Sequence, residues 1–375
     1  MNPLRELPDV SVSRPAAAGP LRDDVGIDDP SVHRRLDPGG MFDAISGLAA
    51  QLHQAPQLVE QVDWLSYKPT TPAGVCVCGM GGSAIGGDLV RSYWEPDSPV
   101  ATIVVRSDRL PAYVNRFWLV IGSSYSGNTA ETLAAVGEAR ERGCQILALT
   151  SGGQLAEWAA QSDWPMVCVP GGLMPRAALG YSLGPVMLSL ARWGIVPDRG
   201  QELANAVVKL ESHRSSLGIE TETTKNPAKQ AALALKGRII CVYGTTGHTD
   251  VVALRLKCQF NENSKAIAFA NALPELTHNE IVGVDASSSR HQMAAVFLVL
   301  GTESASALQR LNWVNTRYQH LGIPTISIVA TGANRLERLL SLVQIGDYTS
   351  YYLAIAGGQD PTPIPAIAAL KADLK

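Results

Sequence analysis

Residues 120–129 read VIGSSYSGNT, and they close the apolar run FWLVIG at 117–122. Four hydroxyl side chains follow the run at once: Ser123, Ser124, Ser126 and Thr129. A helix is predicted to start directly after them, in ETLAAVGEARERG at 131–143. A buried strand, a tight turn through Gly127 and a helix make one βα unit. Free backbone N–H groups at a helix start, beside hydroxyl donors, suit an anion. The loop has no lysine, so it is not the GxxxxGK[ST] cradle of nucleotide triphosphates. A neutral, hydroxyl-rich turn better fits one phosphate monoester on a small molecule. The plainer alternative is an ordinary capped helix, since Ser and Thr are common caps.

Working outward, short and nearly continuous apolar runs recur: GVCVCGM at 74–80, ATIVVR at 101–106, CQILALT at 144–150 and MVCVPG at 166–171. Such runs suit strands covered on both faces of a parallel sheet. Helical stretches beginning near Ala84, Thr129 and Gln154 separate most of them, and the series implies a doubly wound sheet. A helix over Ala177–Trp193 is expected, then the breakers Gly194, Pro197 and Gly200, and then a polar helix, QELANAVVKLESHRSSLG. The pattern then repeats. RIICVYGT, KAIAFAN, AAVFLVLG and PTISIVA are strand candidates with helices between and after them. The fold class expected is α/β, with two similar domains rather than one large sheet. Residues 1–37 read as a loosely ordered arm, 38–198 as the first domain, 199–225 as a linker or covering helix and 226–375 as the second domain.

The composition agrees with this and excludes other classes. The chain has 375 residues, 46% hydrophobic and 17% charged, enough apolar material for two large cores. A formal charge of −3 gives no basic surface for nucleic acid. No apolar run approaches the roughly 20 residues of a membrane helix, and the N-terminus does not resemble a secretory signal. Six cysteines, at 76, 78, 144, 168, 241 and 258, have no CxxC spacing. Buried reduced thiols in a cytoplasmic protein are expected. The seven histidines are scattered, with no HxH or HExxH, so acid–base chemistry without a metal or other cofactor is favoured.

Other segments carry candidate chemistry. GMGGSAIGGD at 79–88 follows the first strand, where glycines let backbone N–H groups approach a ligand. It also fits GxGxxA of a dinucleotide site. The next strand, however, ends in Arg106 and Ser107 rather than in an acid that would hold a ribose, although an arginine there could suit a phosphorylated ribose. PRAALG at 175–180 places Arg176 at the same sheet edge, to hold a phosphate or a developing oxyanion, or simply to cap a surface loop. In the second domain RLKCQFNENSKA at 255–266 sets Glu262 between two asparagines, either as an oriented carboxylate or as a solvated helix-end charge. LPELTHNEIVG at 273–283 puts His278 beside Asn279 and Glu280, and DPTPIPAIAALKADLK at 360–375 carries Lys371.

Taken together, the motifs resemble the bifunctional phosphoglucose/phosphomannose isomerase family of the sugar isomerase (SIS) fold. The shared elements, in family order, are GMGGSAIGGD, SYSGNT, PRAALG, NPAK at 226–229, NENSK at 261–265, PELTHNEIVG and the terminal Leu370–Lys371. SYSGNT alone marks only a SIS domain. PRAALG and the later motifs mark this family. The resemblance implies two SIS domains and a homodimer. It implies phosphate binding by Ser124, Ser126 and Thr129, with Gly82 and Ser83 touching the sugar phosphate and Arg176 over the reacting carbons. It also implies Glu262 as the base, and His278 and Lys371 assisting ring opening, the histidine coming from the other subunit. One carboxylate can move a proton between C1 and C2 of an aldose or ketose 6-phosphate through an enediolate, which a fixed cation stabilises. Glucose and mannose 6-phosphates share that enediolate with fructose 6-phosphate. Ala130 stands where many SIS loops carry Glu, a helix-start position for which little effect is expected. Two other readings compete: a sugar-phosphate sensor without turnover, which would need only the phosphate loops, and an isomerase of another phosphosugar.

Overall fold

The computed structural model describes residues 10–13, 26–64, 66–67 and 70–373. The chain divides into two compact units, one made of the described parts of Met1–Ile45 and Glu211–Lys375, the other of Ser46–Leu210. We call them the outer unit and the central unit, for their places along the chain.

The first elements belong to the outer unit: β1 (Val10–Ser13), α1 (Pro30–Leu36) and α2 (Met41–Ser46), the last ending at the boundary. The central unit follows with α3 (Leu48–Glu60), β2 (Gly74–Cys78), α4 (Gly81–Trp94), β3 (Ala101–Val105), β4 (Trp118–Ser123) and α5 (Ala130–Glu141). It continues with β5 (Gln145–Thr150), α6 (Gly153–Gln161), β6 (Met166–Cys168), a 3-10 turn at Pro175–Ala177, α7 (Leu179–Arg192) and the start of α8 (Gly200–Leu217). The strand order is β3-β2-β4-β5-β6, and every pairing is parallel. β2 and β4 are buried from end to end, which is why both read as unbroken apolar runs rather than alternating ones. One face packs Cys76, Cys78 and Val120 against Val136 and Ala139 of α5 and Leu155 of α6. On the other face α4 lies on the sheet, with Gly87 set against Val77. α7 packs on α4 and on α3, and its Gly184 lets Ala55 of α3 come close.

The outer unit resumes with α9 (Pro227–Leu235), β7 (Ile239–Thr245), α10 (Asp250–Glu262), β8 (Ala268–Leu273), α11 (Glu280–Ala286) and β9 (Met293–Val299). It ends with α12 (Ala305–His320), β10 (Thr325–Val329), α13 (Arg335–Ala356) and α14 (Pro365–Asp373). Its strand order is β1-β10-β9-β7-β8. The four strands from β7 to β10 repeat the central topology in parallel, and β1 adds an antiparallel edge. Tyr243, Phe297 and Tyr318 form an aromatic core on the face of α11 and α12. α13, buried along nearly its whole length, packs with α10 and α9.

The structure departs from the sequence reading in four places. Part of the expected arm is ordered: β1 pairs with β10, and α1 packs against α13. There His33 is buried, with Nε2 2.8 Å from the Ile27 carbonyl and Nδ1 3.1 Å from the Tyr351 hydroxyl. Residues 1–9 and 14–25 lie outside the described ones. The unit boundary falls at 45/46 rather than 37/38, and α8 runs through the second boundary at Leu210–Glu211 rather than forming a separate linker. The outer sheet is not wholly parallel. The cysteines are all free, yet Cys168 is exposed and Cys144 and Cys258 are half-buried, because each lies at a strand end or on a helix flank.

Candidate functional site

In both units the strand order reverses beside the first strand, which opens a crevice at the carboxyl ends of the strands, where such sheets bind ligands. In the central unit that point lies between β2 and β4, and the glycine-rich and hydroxyl-rich loops flank it.

The hydroxyl loop is a built turn. Ser124 is 1% exposed, and its Oγ lies 2.9 Å from Oγ1 of Thr129. Gly127 N–H donates to the Ser124 carbonyl at 3.0 Å, with Gly127 at φ +70°. A Cβ there would fall 1.7 Å from the Gly152 carbonyl oxygen, so only glycine fits. Thr129 is the N-cap residue of α5, but its side chain makes no capping bond. Its hydroxyl is turned to Ser124 instead. Among the described residues no side chain then caps the first-turn N–H groups of α5, and the helix dipole adds to their pull on an anion. The plain capped-helix alternative does not hold. Ser126 is exposed, and its Oγ accepts from Asn128 N–H at 3.3 Å.

Two further loops are bonded to this one. Ser83 Oγ accepts from Tyr125 N–H at 3.3 Å, and Ser123 Oγ donates to the Ser83 carbonyl at 3.4 Å. Gly82 packs on the Pro175–Arg176 turn so closely that a Cβ would sit 2.4 Å from the Pro175 oxygen. Ser182 Oγ also reaches the Gly82 carbonyl at 3.2 Å. The glycines of GMGGSAIGGD thus serve close packing of α4: Gly82 on the arginine turn, Gly86 on Ser182 and Gly87 on Val77. The dinucleotide alternative loses its other support as well, because Arg106 forms an ion pair with Asp88 of α4.

Arg176 is 5% exposed, so it is not a surface residue capping a loop. Gln51 of α3 holds its turn from below. The Gln51 amide donates to the Ala177 carbonyl at 2.8 Å and accepts from Gly180 N–H at 2.9 Å. The sequence reading missed Gln51, which lies 126 and 129 positions from these partners. Gly82, Ser83, Tyr125, Pro175 and Tyr181 line a small hollow at this edge.

The other candidates belong to the outer unit. Glu262 is the last residue of α10 and is half-buried. The neighbouring asparagines and lysine of NENSK fix this helix end. Asn261 Oδ1 accepts from Ala268 N–H at 2.9 Å, and Asn263 Nδ2 donates to Ser350 Oγ at 3.0 Å. Lys265, at φ +53°, turns back to donate to the Glu262 carbonyl at 2.8 Å. One and two turns earlier Gln259 and Arg255 bond both oxygens of Asp347 on α13, at 2.9 and 2.6 Å. Burial pushes the Asp347 carboxyl up against the pull of both partners. The motif NPAK is also structural here: Asn226 caps α9, and the fully buried Lys229 donates to Asp28 at 2.8 Å and to the Ile219 carbonyl at 2.7 Å.

His278 ends a 3-10 turn after β8 and is exposed. Its polar neighbours are occupied. Asn279 donates to Glu275 at 2.6 Å, and Glu280 accepts from Tyr243 and from Asn271, each at 2.6 Å. Lys371 lies on α14, none of whose residues is buried. The structure gathers Gly82, Ser83, Ser124, Ser126, Thr129 and the Arg176 turn at one sheet edge. It does not gather Glu262 and His278: β8, about 17 Å long at the usual rise per residue, runs from the segment of one to that of the other. Among the described residues no group of three His, Cys, Asp or Glu side chains could hold a metal ion, and no helix is long and apolar enough to cross a membrane.

Comparison with known proteins agrees with this geometry. The family model for the bacterial phospho-glucose isomerase C-terminal SIS domain matches residues 224–374. A bifunctional phosphoglucose/phosphomannose isomerase of Caldicellulosiruptor bescii is 36% identical over 333 residues, 88% of this chain and 98% of the relative. The chain belongs to the bifunctional phosphoglucose/phosphomannose isomerase family. A second member, from Aquifex aeolicus, is 34% identical over 84% of this chain and 95% of its own. Among solved structures, a hypothetical protein of Thermus thermophilus shares the fold, with a TM-score of 0.71 at 14% identity over 93% of both chains. The family match reaches the NPAK, NENSK and PELTHNEIVG segments of the outer unit as well as the SIS loops of the central one.

Proposed function

We propose that the protein interconverts glucose 6-phosphate and mannose 6-phosphate with fructose 6-phosphate through an enediolate. The observation that carries this reading is the start of α5. Thr129 stands at the N-cap, makes no capping bond, and pairs with buried Ser124 beside a tight glycine turn. That arrangement suits three or four oxygens of one phosphate. In this reading Ser124, Ser126 and Thr129 hold the phosphate, Gly82 and Ser83 contact the sugar phosphate, and Arg176 stabilises the enediolate. Glu262 carries the proton between C1 and C2, and His278 and Lys371 open the ring. A retained family membership over both units favours an enzyme over a sensor, which would need only the phosphate loops.

We further infer a homodimer in which His278 comes from the second subunit. The length of β8 between the segments of Glu262 and His278 supports this. So do Ile267, Phe269 and Val282, which are 62%, 58% and 68% exposed on and beside that edge strand. A cytoplasmic setting fits six free thiols. The test is proton NMR of fructose 6-phosphate with the protein in deuterated buffer without added metal. Deuterium at C1 or C2 is expected, and Glu262→Gln should abolish the exchange while inorganic phosphate still binds. Exchange that survives in Glu262→Gln removes Glu262 as the base. Ligand binding without exchange in the parent protein makes it a sensor.

A further inference from the structure

Tyr125 stands between Ser124 and Ser126, in the middle of the phosphate loop, yet its side chain leaves that loop. Its hydroxyl donates to the Pro170 carbonyl at 2.8 Å and accepts from Leu173 N–H at 3.1 Å. Both partners lie in the stretch that joins β6 to the Arg176 turn. That stretch has no regular secondary structure and contains Gly171 and Gly172, the latter at φ +95°. A segment of this kind does not set its own course. Its far end is fixed by Gln51, which bonds Ala177 and Gly180. Its near end is fixed by the Tyr125 hydroxyl.

The tyrosine backbone is equally committed. Its N–H donates to Ser83 Oγ at 3.3 Å. Its carbonyl accepts from Ser151, from N–H at 3.0 Å and from Oγ at 2.6 Å. Tyr125 is therefore a rigid strut between the loop suited to the phosphate and the segment that places the buried guanidinium. Ser126, next to it, is exposed. We propose that Tyr125 is a positioning residue that couples occupation of the phosphate loop to the placement of Arg176. The proposal rests on the phosphate-binding reading of the preceding subsection. In it, phosphate held by Ser124 and Ser126 on either side further restrains the Tyr125 main chain and so tightens the bonds its hydroxyl already makes. The hydroxyl then holds Pro170 and Leu173 so that Arg176 stands ready for the developing charge. A phosphate group far from the reacting carbons thereby contributes to the chemical step, as well as to binding.

Tyr125→Phe removes one oxygen and leaves the ring. Hydrogen exchange of amides, with and without saturating inorganic phosphate, reads the coupling directly. In the parent protein, phosphate should slow exchange at 123–130 and at 170–176. In Tyr125→Phe, protection of 123–130 should persist and that of 170–176 should disappear. Kinetically, kcat should fall roughly tenfold to a hundredfold, the scale of a misplaced catalytic group, while KM for fructose 6-phosphate moves less than about twofold. Combined with Arg176→Lys, the tyrosine change should add no further loss, because both act through one guanidinium. Protection of 170–176 retained in Tyr125→Phe, or multiplicative losses in the double variant, would overturn the coupling and leave the phosphate site standing. No phosphate protection at 123–130 in the parent protein would remove the phosphate site and the coupling with it.

Discussion

The two crevices share a topology and differ in what fills them. In the central unit the loop after β4 pairs the Ser124 and Thr129 hydroxyls with each other, exposes Ser126, leaves the N-cap of α5 without a side-chain bond and has no acid among its residues. In the outer unit the loop after β9 carries its own anion. The Glu303 carboxylate, 7% exposed, accepts from the N–H groups of Leu300, Gly301 and Thr302 at 2.6, 2.7 and 3.1 Å. Thr249 closes the same crevice, since its hydroxyl accepts from Thr245 N–H at 2.9 Å and donates to the Leu298 carbonyl at 3.1 Å. Helix α12 is capped by Ser304, which accepts from Ala307 N–H. One nest of backbone donors is open to a ligand, and the other is satisfied by the chain itself. A repeated fold thus yields one open crevice, which we read as the phosphate site, and one crevice closed on itself, and a few side chains decide which is which.

The sharpest way to break this comparison uses the glycine in each loop. Gly127→Ala places a Cβ against backbone, 1.7 Å from the Gly152 oxygen, at φ +70°. The turn must move, and isomerase activity is expected to fall by about a hundredfold or more. Gly301 has φ +84°, but there the nearest atom is the tip of the flexible Arg338 side chain, at 2.7 Å. Gly301→Ala should cost about 1–3 kcal/mol of backbone strain and leave KM for fructose 6-phosphate alone. Steady-state kinetics and urea unfolding on both variants check the pair. Equal loss of activity from the two would end the distinction between site and scaffold.

Next come the polar groups. Ser124→Ala combined with Thr129→Val removes the facing hydroxyls of the central loop. Hydrogen bonds to a charged partner contribute about 1.5–3 kcal/mol each, so KM should rise by roughly tenfold to a hundredfold, with unfolding stability nearly unchanged. Glu303→Ala should do the reverse. It strands three backbone donors and is expected to cost about 1–3 kcal/mol of stability at constant KM. A raised KM in Glu303→Ala, measured with fructose 6-phosphate, would mean that the outer crevice also serves the substrate.

Much of this difference was readable before any coordinates. The buried strands are legible as apolar runs, and the close hydroxyls of SYSGNT are legible because its residues are contiguous. What stayed hidden was set by partners far along the chain. Gln51 gives no local sign that it holds the Arg176 turn, and Asp347 none that it pins the helix of Glu262. The role of Glu303 depends on backbone geometry rather than on residue type, so nothing in its sequence neighbourhood marks it. The four-residue VSVS of β1 is too short and too polar to stand out from its surroundings, yet β10 gives it a partner. Glycines in GMGGSAIGGD were read as ligand-facing, and several face helix α7 or the sheet instead. Contiguous chemistry is legible, whereas chemistry assembled by packing is not.

The smallest expected effect concerns pH. A polar group that the outer unit commits to its own packing, unlike Glu262, His278 and Lys371, should on ionisation alter stability and leave KM untouched. His33 is such a group, buried between the Ile27 carbonyl and Tyr351. Burial holds its pKa below the usual value, with the charge of Lys229 adding to this against the Ile27 bond. Above a pH of about 6.5, the ordinary histidine value, the ring is neutral in both folded and unfolded chains, and the term is flat. As the pH falls through that value, the unfolded chain takes up a proton that the folded one refuses, so stability declines. The decline levels off only below the lowered pKa of the folded state. Glutamine at this position can both donate and accept but does not titrate. His33→Gln should therefore flatten the loss of stability between about pH 6.5 and 5, followed as urea midpoints at constant ionic strength. If parent and variant lose stability in parallel across that range, His33 is not the group that the fold keeps neutral.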